Sequence, residues 1–383
     1  MKHNILKGSW SVITMLMIAS LLLAGCASQS ATTVAPVETA EPPAPTTEPL
    51  KACMFTSSSI NDMGWSYANE RGRLYMMDKV KGITSTLTDQ ISDTGGADVV
   101  KVIEDMITAQ NCKVIIGTSF GYSEAIGTEA TKHPDIYFLN ESQYVAGDNI
   151  QSHWTRYYEG LYLTGALAAE MTKSNIIGMV ATFPIPELVR RINGYALGAQ
   201  SVNPDVVVKV VWTGSWYDPA KETEAANSLI AAGADVIQHL ASDTAALQAA
   251  ESAGVYSIGY RNDQLEFAPK YGLTSMMINW GPIYATSVQK IIDGTWKPGE
   301  IWFGLPDGVV GPGPYGPAVP DSVKASIADI QAKLISGEIQ IWKGPIMDQG
   351  GTVQIPAGEV WTDAQILNMD YFVKGIDGTI PTP

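Results

Sequence analysis

The chain reads as an α/β protein of two doubly wound, parallel-sheet halves, and three observations carry that reading. From Lys51 onward, short β-branched runs alternate with stretches of helical spacing, the pattern of βαβ units whose sheet is covered on both faces. After about His153 the cycle restarts, which gives a second half of the same kind. No short repeat period is visible, so a solenoid is set aside.

In the first half, Ala52–Thr56 is a candidate strand, Trp65–Lys81 a helix, Ile83–Thr88 a strand and Ala97–Ala109 a helix. Lys113–Gly117, Ser123–Lys132 and Ile136–Leu139 continue as strand, helix and strand. The second half opens with helix Tyr158–Thr172, strand Ile176–Ala181, helix Pro186–Gln200 and strand Val206–Thr213. Helix Pro219–Ala232 carries a stripe at Ala225, Ser228, Leu229 and Ala232. Strand Val236–His239, helix Thr244–Ala253 and strands Tyr256–Gly259 and Leu273–Ile278 follow. The tail from Gly299 holds Pro306, Pro312, Pro314, Pro317 and Pro320 among glycines and is expected to be mostly irregular. One helix, Asp321–Ser336, interrupts it, with Asp321 as N-cap and Gly337 as the stop. The expected division is a first lobe of 51–153 plus about 279–298, and a second of 154–278 plus about 299–383. Two such halves leave a cleft where the carboxyl ends of their strands face each other, the place where open α/β sheets hold ligands.

The first 25 residues are a basic n-region with Lys2 and Lys7, then an apolar run from Val12 to Leu23. That order is a secretory signal, and the run is short for a membrane span. Leu23-Ala24-Gly25-Cys26 resembles the lipobox of bacterial lipoproteins, in which the Cys thiol takes a diacylglycerol. The expectation is an extracytoplasmic protein anchored to the cell membrane by lipid on Cys26. Residues 26–50 are rich in Ala, Thr and Pro and read as a flexible tether.

The formal net charge is −15, and loss of Lys2 and Lys7 with the leader makes the body more negative still. Such a balance argues against nucleic acid as a partner and says little about a small neutral ligand. Three cysteines are too few for a disulfide scaffold. With Cys26 set aside, Cys53 opens the first strand and Cys112 precedes the third. In the usual 2-1-3 strand order they are neighbours, either bonded or two buried thiols.

Gly117-Thr118-Ser119-Phe120-Gly121 matches G-x-S-x-G between a strand and a helix. One reading is a nucleophile elbow at Ser119, which makes a lipid-anchored serine esterase an alternative. The other is a tight turn that presents Ser119 and Phe120 to a ligand. His3, His133, His153 and His239 are the only histidines, and their spacing predicts no metal centre. Phosphate-loop and dinucleotide fingerprints are absent from the sequence, and no cofactor is expected. Trp65, Trp216 and Trp280 each follow a strand, at junctions that would converge on one cleft and suit stacking on a flat ligand. Asp62, Asp243 and Asp263 lie at similar junctions, as helix caps or as cleft carboxylates.

The stretches Asn61–Gly72, Gly117–Tyr122, Tyr158–Gly165, Gly194–Ala199, Trp216–Glu222, Gly259–Asp263 and Asp293–Trp296 resemble the basic membrane protein family. These are ABC-transporter substrate-binding lipoproteins of the purine nucleoside receptor A type, and the likeness runs from about Lys51 to the C-terminus. It implies a type I periplasmic-binding-protein fold whose lobes are joined by a hinge crossed more than once. It also implies a purine nucleoside or nucleobase held between two aromatic rings, and an ABC permease as partner. By position, Trp65 and Trp216 stand where the family has its two stacking Phe residues. Asn140 stands near a family Asp, Ser58 replaces another, and Asp263 matches a third. Trp280 or Asn279 lies near a family Lys. Losing two acids and the Lys makes a bare nucleobase or another flat ligand a candidate beside the nucleoside. A receptor that feeds a signalling partner is the remaining alternative to an importer.

Overall fold

The computed structural model describes residues 48–94 and 96–381. The leader, most of the tether and Cys26 lie outside the described residues. The first half runs β1 (Leu50–Phe55), α1 (Trp65–Lys79), β2 (Ile83–Thr88), α2 (Ala97–Thr108), β3 (Val114–Gly117), α3 (Ser123–Lys132), β4 (Tyr137–Glu141) and β5 (Ile150–Thr155). The second half runs α4 (Tyr157–Met171), β6 (Ile176–Ala181), α5 (Pro186–Val202), β7 (Val207–Trp212), α6 (Pro219–Ala231), β8 (Val236–His239), α7 (Ala245–Ala253), β9 (Tyr256–Arg261) and β10 (Gly272–Ile278). The remainder is α8 (Gly281–Ile292), β11 (Gly299–Phe303), β12 (Val310–Pro312), α9 (Asp321–Ser336), β13 (Ile346–Met347), β14 (Val353–Ile355), α10 (Asp363–Ile366) and β15 (Ile376–Asp377).

The first sheet has the order β11-β5-β4-β3-β1-β2, with every pair parallel. The second has the order β12-β10-β9-β8-β6-β7-β15 and is parallel except for its β12 edge. Each half therefore repeats one 2-1-3-4-5 winding. Buried β1 shows why the sheet needs helices on both faces. Ala52 and Met54 face an apolar core shared with the second half, and Cys53 and Phe55 face a separate core with Val99, Ile103 and Ile126.

Cys53 and Cys112 form a disulfide with Cα atoms 5.9 Å apart. It closes a loop across a sequence separation of 59, a length for which loop-closure entropy contributes about 4 kcal/mol.

Within the described residues the chain passes between the halves three times. The first passage is at Arg156, whose N–H donates to the Phe303 carbonyl at 2.8 Å. The second is at Asn279, whose N–H donates to the Val309 carbonyl at 2.7 Å. The third follows Phe303, where Leu305 N–H donates to Glu159 Oε2 at 2.6 Å. Asp363 of the tail pins this hinge by accepting from Arg156 Nε and Nη2 at 3.1 and 2.6 Å.

The tail departs from expectation. Gly299–Phe303 is a strand added to β5, with Trp302 stacked on Trp154 at 5.4 Å. The return to the second lobe thus comes after Phe303, not at about residue 299. Val310–Pro312 also pairs despite its composition, on a sheet edge where proline is tolerated. Asp321 is the first helical residue of α9 with Pro320 as its cap, while Gly337 takes the left-handed conformation of a helix stop. Among the described residues, no helix is long and apolar enough to cross a membrane.

Candidate functional site

The carboxyl ends of the two sheets face each other across a cavity of about 180 Å³. The first half contributes Ser57 and Ser58 after β1, Trp65 at the start of α1, Asp93 after β2, Ser119 and Phe120 after β3, and Glu141 at the end of β4. The second half contributes Glu187 and Arg191 of α5, Trp216 after β7, Ser242 after β8 and Arg261 at the end of β9.

Trp65 is placed by its own helix start. Asp62 accepts from the N–H groups of Gly64, Ser66 and Tyr67 at 2.8, 3.0 and 3.1 Å, so its side chain satisfies free amides at the start of α1. The Trp65 indole donates to the Thr118 carbonyl at 2.8 Å, and the Arg261 guanidinium lies over its ring at 4.8 Å. Across the cleft, Trp216 packs on Phe183 with centroids 5.0 Å apart. Asp218 caps α6 through Lys221 N–H at 3.1 Å and so anchors the Trp216 loop.

Three sequence-derived candidates lie outside the cavity lining. Trp280 is fully buried and meets Trp65 edge-on at 5.4 Å, so it backs the cleft tryptophan. Asp263 is exposed and accepts from Leu265 N–H at 3.2 Å, because the β9 turn aims its neighbour Asn262 inward in its place. Asn140 is buried and donates to the Ser119 carbonyl and Gln143 Oε1 at 2.9 and 2.8 Å, which makes it a support for the Ser119 turn. Asp243 caps α7 through Ala245 N–H at 2.6 Å beside buried Glu222, whose carboxyl is pushed up to about 9 by burial and by Asp243.

Glu141, Glu187, Arg191, Arg261, Ser242, Ser57 and Asp93 are lining residues that the sequence reading did not single out. A charge buried at a strand end is itself a signal, since such groups are rarely sealed away without a partner. Burial works against the Arg191 charge, but Glu187, paired with it one helical turn away, together with Tyr260, Tyr157 and Glu141 outweighs that and keeps it protonated. Arg191 also donates to Tyr260 Oη at 2.9 Å and lies 3.7 Å over the Tyr157 ring. Burial raises Glu187 too, yet Arg191, Arg190 and Arg261 together hold its carboxyl below the usual range. Glu141 goes the other way: burial and the nearby Glu187 push it up to about 8, against the pull of Arg191 and Arg261. The cavity therefore offers the Glu141 carboxyl as a donor, the Glu187 and Asp93 carboxyl oxygens as acceptors, and two guanidinium groups.

A neutral Glu141 has a pH consequence. Its folded pKa exceeds the unfolded value of about 4.3, so between about pH 4 and 8 the folded state keeps a proton that the unfolded state has released. Stability contributed by this group falls as pH rises through that window. Glu141→Gln is expected to flatten the fall by up to about 1.4 kcal/mol per pH unit. Denaturant melts at pH 5 and pH 8 check it, and identical slopes in both proteins would show Glu141 to be ionised.

The lobes meet directly beside the cavity. Asn262 Nδ2 donates to the carbonyls of Met63 and Gly64 at 3.0 and 2.7 Å, and its Oδ1 accepts from Arg71 at 2.8 Å. Gln264 Nε2 donates to the Met63 carbonyl at 3.2 Å. A Cβ on Gly64 would lie 2.3 Å from the Ser242 carbonyl oxygen.

A two-lobed body of this kind, with its cavity at the strand ends, matches the family model for PnrA-like ABC transporter substrate-binding proteins over residues 50–343. The chain belongs to the basic membrane protein family. It is 37% identical to the purine-binding protein of Brucella abortus (strain 2308) over 335 residues, 87% of this chain and 95% of that one. It is 33% identical to TsgA13 of Haloferax volcanii, a candidate glucose-binding protein of an ABC transporter, over 95% of this chain and 90% of that one. The ABC transporter solute-binding protein from Conexibacter woesei DSM 14684 shares the fold, with a TM-score of 0.65 at 21% identity over 76% of this chain and 97% of that one.

The fold is thus that of type I periplasmic binding proteins, and the chain is a substrate-binding protein of an ABC transporter, which takes a small-molecule ligand outside the cytoplasm. It is not an enzyme. The esterase reading of Ser119 falls with that, and the local geometry gives the reason. Ser119 Oγ donates to Asp93 Oδ2 at 2.8 Å and accepts from Gly121 N–H at 3.2 Å, with no imidazole as partner among the described residues. His239 and His153 are buried behind the sheet ends, with Nε2 facing Gln264 and Gln151 respectively. Gly121 is required by a close approach, since a Cβ there would lie 2.1 Å from the Asp93 carbonyl oxygen. The protein is expected to leave a fluorophosphonate probe unreacted. Stoichiometric labelling of Ser119, read by mass spectrometry, would contradict this.

Proposed function

We propose that this family member captures a purine nucleobase or nucleoside in the interlobe cavity and delivers it to an ABC permease, while tethered to the cell membrane by lipid on Cys26. One observation carries the ligand class: Trp65 and Trp216 enter one small cavity from opposite lobes, beside charged groups suited to a heterocycle's edge. Stacking on aromatic faces contributes about 1–3 kcal/mol per base and holds a flat ring without specifying its edge. Arg191, Arg261 and neutral Glu141 supply donors, and Glu187 and Asp93 supply acceptors, for ring nitrogens and exocyclic groups. Ser58, Ser119 and Phe120 complete the wall. The cavity of about 180 Å³ lies below the roughly 300–1,000 Å³ of drug-sized sites, which favours the bare base over the nucleoside. The name of the Brucella relative supports the same class.

A sugar is the second reading, favoured by the name of the Haloferax relative. Tryptophan faces and carboxylates also suit a pyranose. Mass spectrometry of the ligand released from purified, denatured protein decides between them. A recovered purine supports the first reading, and a recovered hexose overturns it.

A further inference from the structure

We propose that the first lobe carries a binding site for a zinc-class divalent cation, built from Glu104 of α2, Glu129 of α3 and His133 at the C-cap of α3. The site is independent of the ligand cavity and of the purine reading, since none of the three residues lines the cleft.

The three side chains converge from two helices. His133 Nε2 lies 3.3 Å from Glu104 Oε1 and 3.6 Å from Glu129 Oε2, and one ligand atom of each residue falls within 4.8 Å of the others. Zinc binds histidine nitrogen and carboxylate oxygen at about 2.0–2.2 Å, so the ligand atoms of a tetrahedral ion stand about 3.4 Å apart. Both histidine contacts already have that separation. An imidazole with two carboxylates and room for water is a donor set for zinc and its neighbours, not for the oxygen-only cages of calcium.

A second observation points into the same space. Glu129 is fully buried, its Oε1 accepts from Lys132 Nζ at 2.7 Å, and its Oε2 has no hydrogen-bond partner among the described residues. That orphan oxygen is the one facing His133. A buried carboxylate oxygen without a donor is costly, and a metal ion relieves the cost. Lys132 then acts from outside the metal shell by fixing the other oxygen. The backbone carrying His133 is equally fixed. Asn149 Nδ2 donates to the carbonyls of Ala130, His133 and Ile136 at 3.1, 2.9 and 2.9 Å. The Glu104 and His133 side chains are 36% and 21% exposed, which leaves a path for the ion to enter.

Histidine spacing predicts no metal centre in this chain, and the reason it misses this cluster is clear. Glu129 and His133 are one turn apart on a helix, but Glu104 arrives from another helix through the packing of α2 on α3.

The test uses the full chain stripped with chelator and titrated with Zn²⁺ by calorimetry, beside His133→Ala and Glu104→Gln. Both changes are at partly exposed positions and avoid buried Glu129. One strong equivalent in the native protein, weakened at least tenfold in each variant, supports the site. Co²⁺ should report it separately, as a tetrahedral visible spectrum that His133→Ala abolishes. Zinc should raise the melting temperature of the native protein and not that of the double variant. Equal Zn²⁺ affinity in native and variant proteins, or no stoichiometric binding at all, overturns the proposal.

Discussion

Gly64→Val is expected to weaken ligand binding about hundredfold while leaving the fold intact. Gly64 precedes α1, and its Cα faces the backbone of Ser242 on the other lobe. Even a Cβ would come within 2.3 Å of the Ser242 carbonyl oxygen, and backbone on both sides cannot rotate away as a flexible side chain would. The lobes would stand apart, and the closed form would lose the Asn262 and Gln264 bonds to Met63 and Gly64. At about 1 kcal/mol net per hydrogen bond, the loss is near 3 kcal/mol, which corresponds to about two decades of affinity. Affinity falls because only the closed fraction binds with full strength. Calorimetry with a panel of purine bases and nucleosides measures it, and small-angle scattering should show an open shape even with ligand present. Native affinity in Gly64→Val would mean that closure is not needed for binding.

Trp65→Ala and Trp216→Ala should each reduce purine affinity at least tenfold. The two tests are not equivalent. Trp216 rests on Phe183 and is half-buried, so its loss removes stacking surface and little else. Trp65 also bonds the Thr118 carbonyl, packs on Trp280 and carries Arg261 over its ring, so its removal loosens the cavity floor as well. At about 1–3 kcal/mol per stacked base, either loss is large enough to read by calorimetry. Circular dichroism and a thermal melt separate lost stacking from lost structure. If both variants keep native affinity, the two tryptophans do not hold the ligand.

Much of this protein was legible before folding. Alternating β-branched and helical stretches placed the β1–β4 and β6–β9 cores, since a strand buried on both faces must be an apolar run and a crossover helix must follow it. The turn residues after β1, β3 and β7 marked where a cleft would form, because in a parallel sheet all carboxyl ends point one way. Trp65, Ser119, Phe120 and Trp216, placed at those junctions by that logic, and Ser58, placed by the family resemblance, all line the cavity.

What only the tertiary structure decided was everything that depends on a partner distant in sequence. Gly299–Phe303 is a strand because β5 offers an open edge, which its Gly and Trp content does not announce. Trp280 resembles Trp65 in its local setting, yet α8 packs on α1 and turns it inward to back its twin. Asp263 and Asn262 are adjacent, and the course of the β9 turn determines which of them meets the other lobe. The charges of Glu141, Glu187 and Arg191 are set by burial beside one another across two lobes. Periodicity records which face of an element is apolar, a local property. Which polar groups end up sealed together is a property of the packed pair, and it comes into being only when the lobes meet.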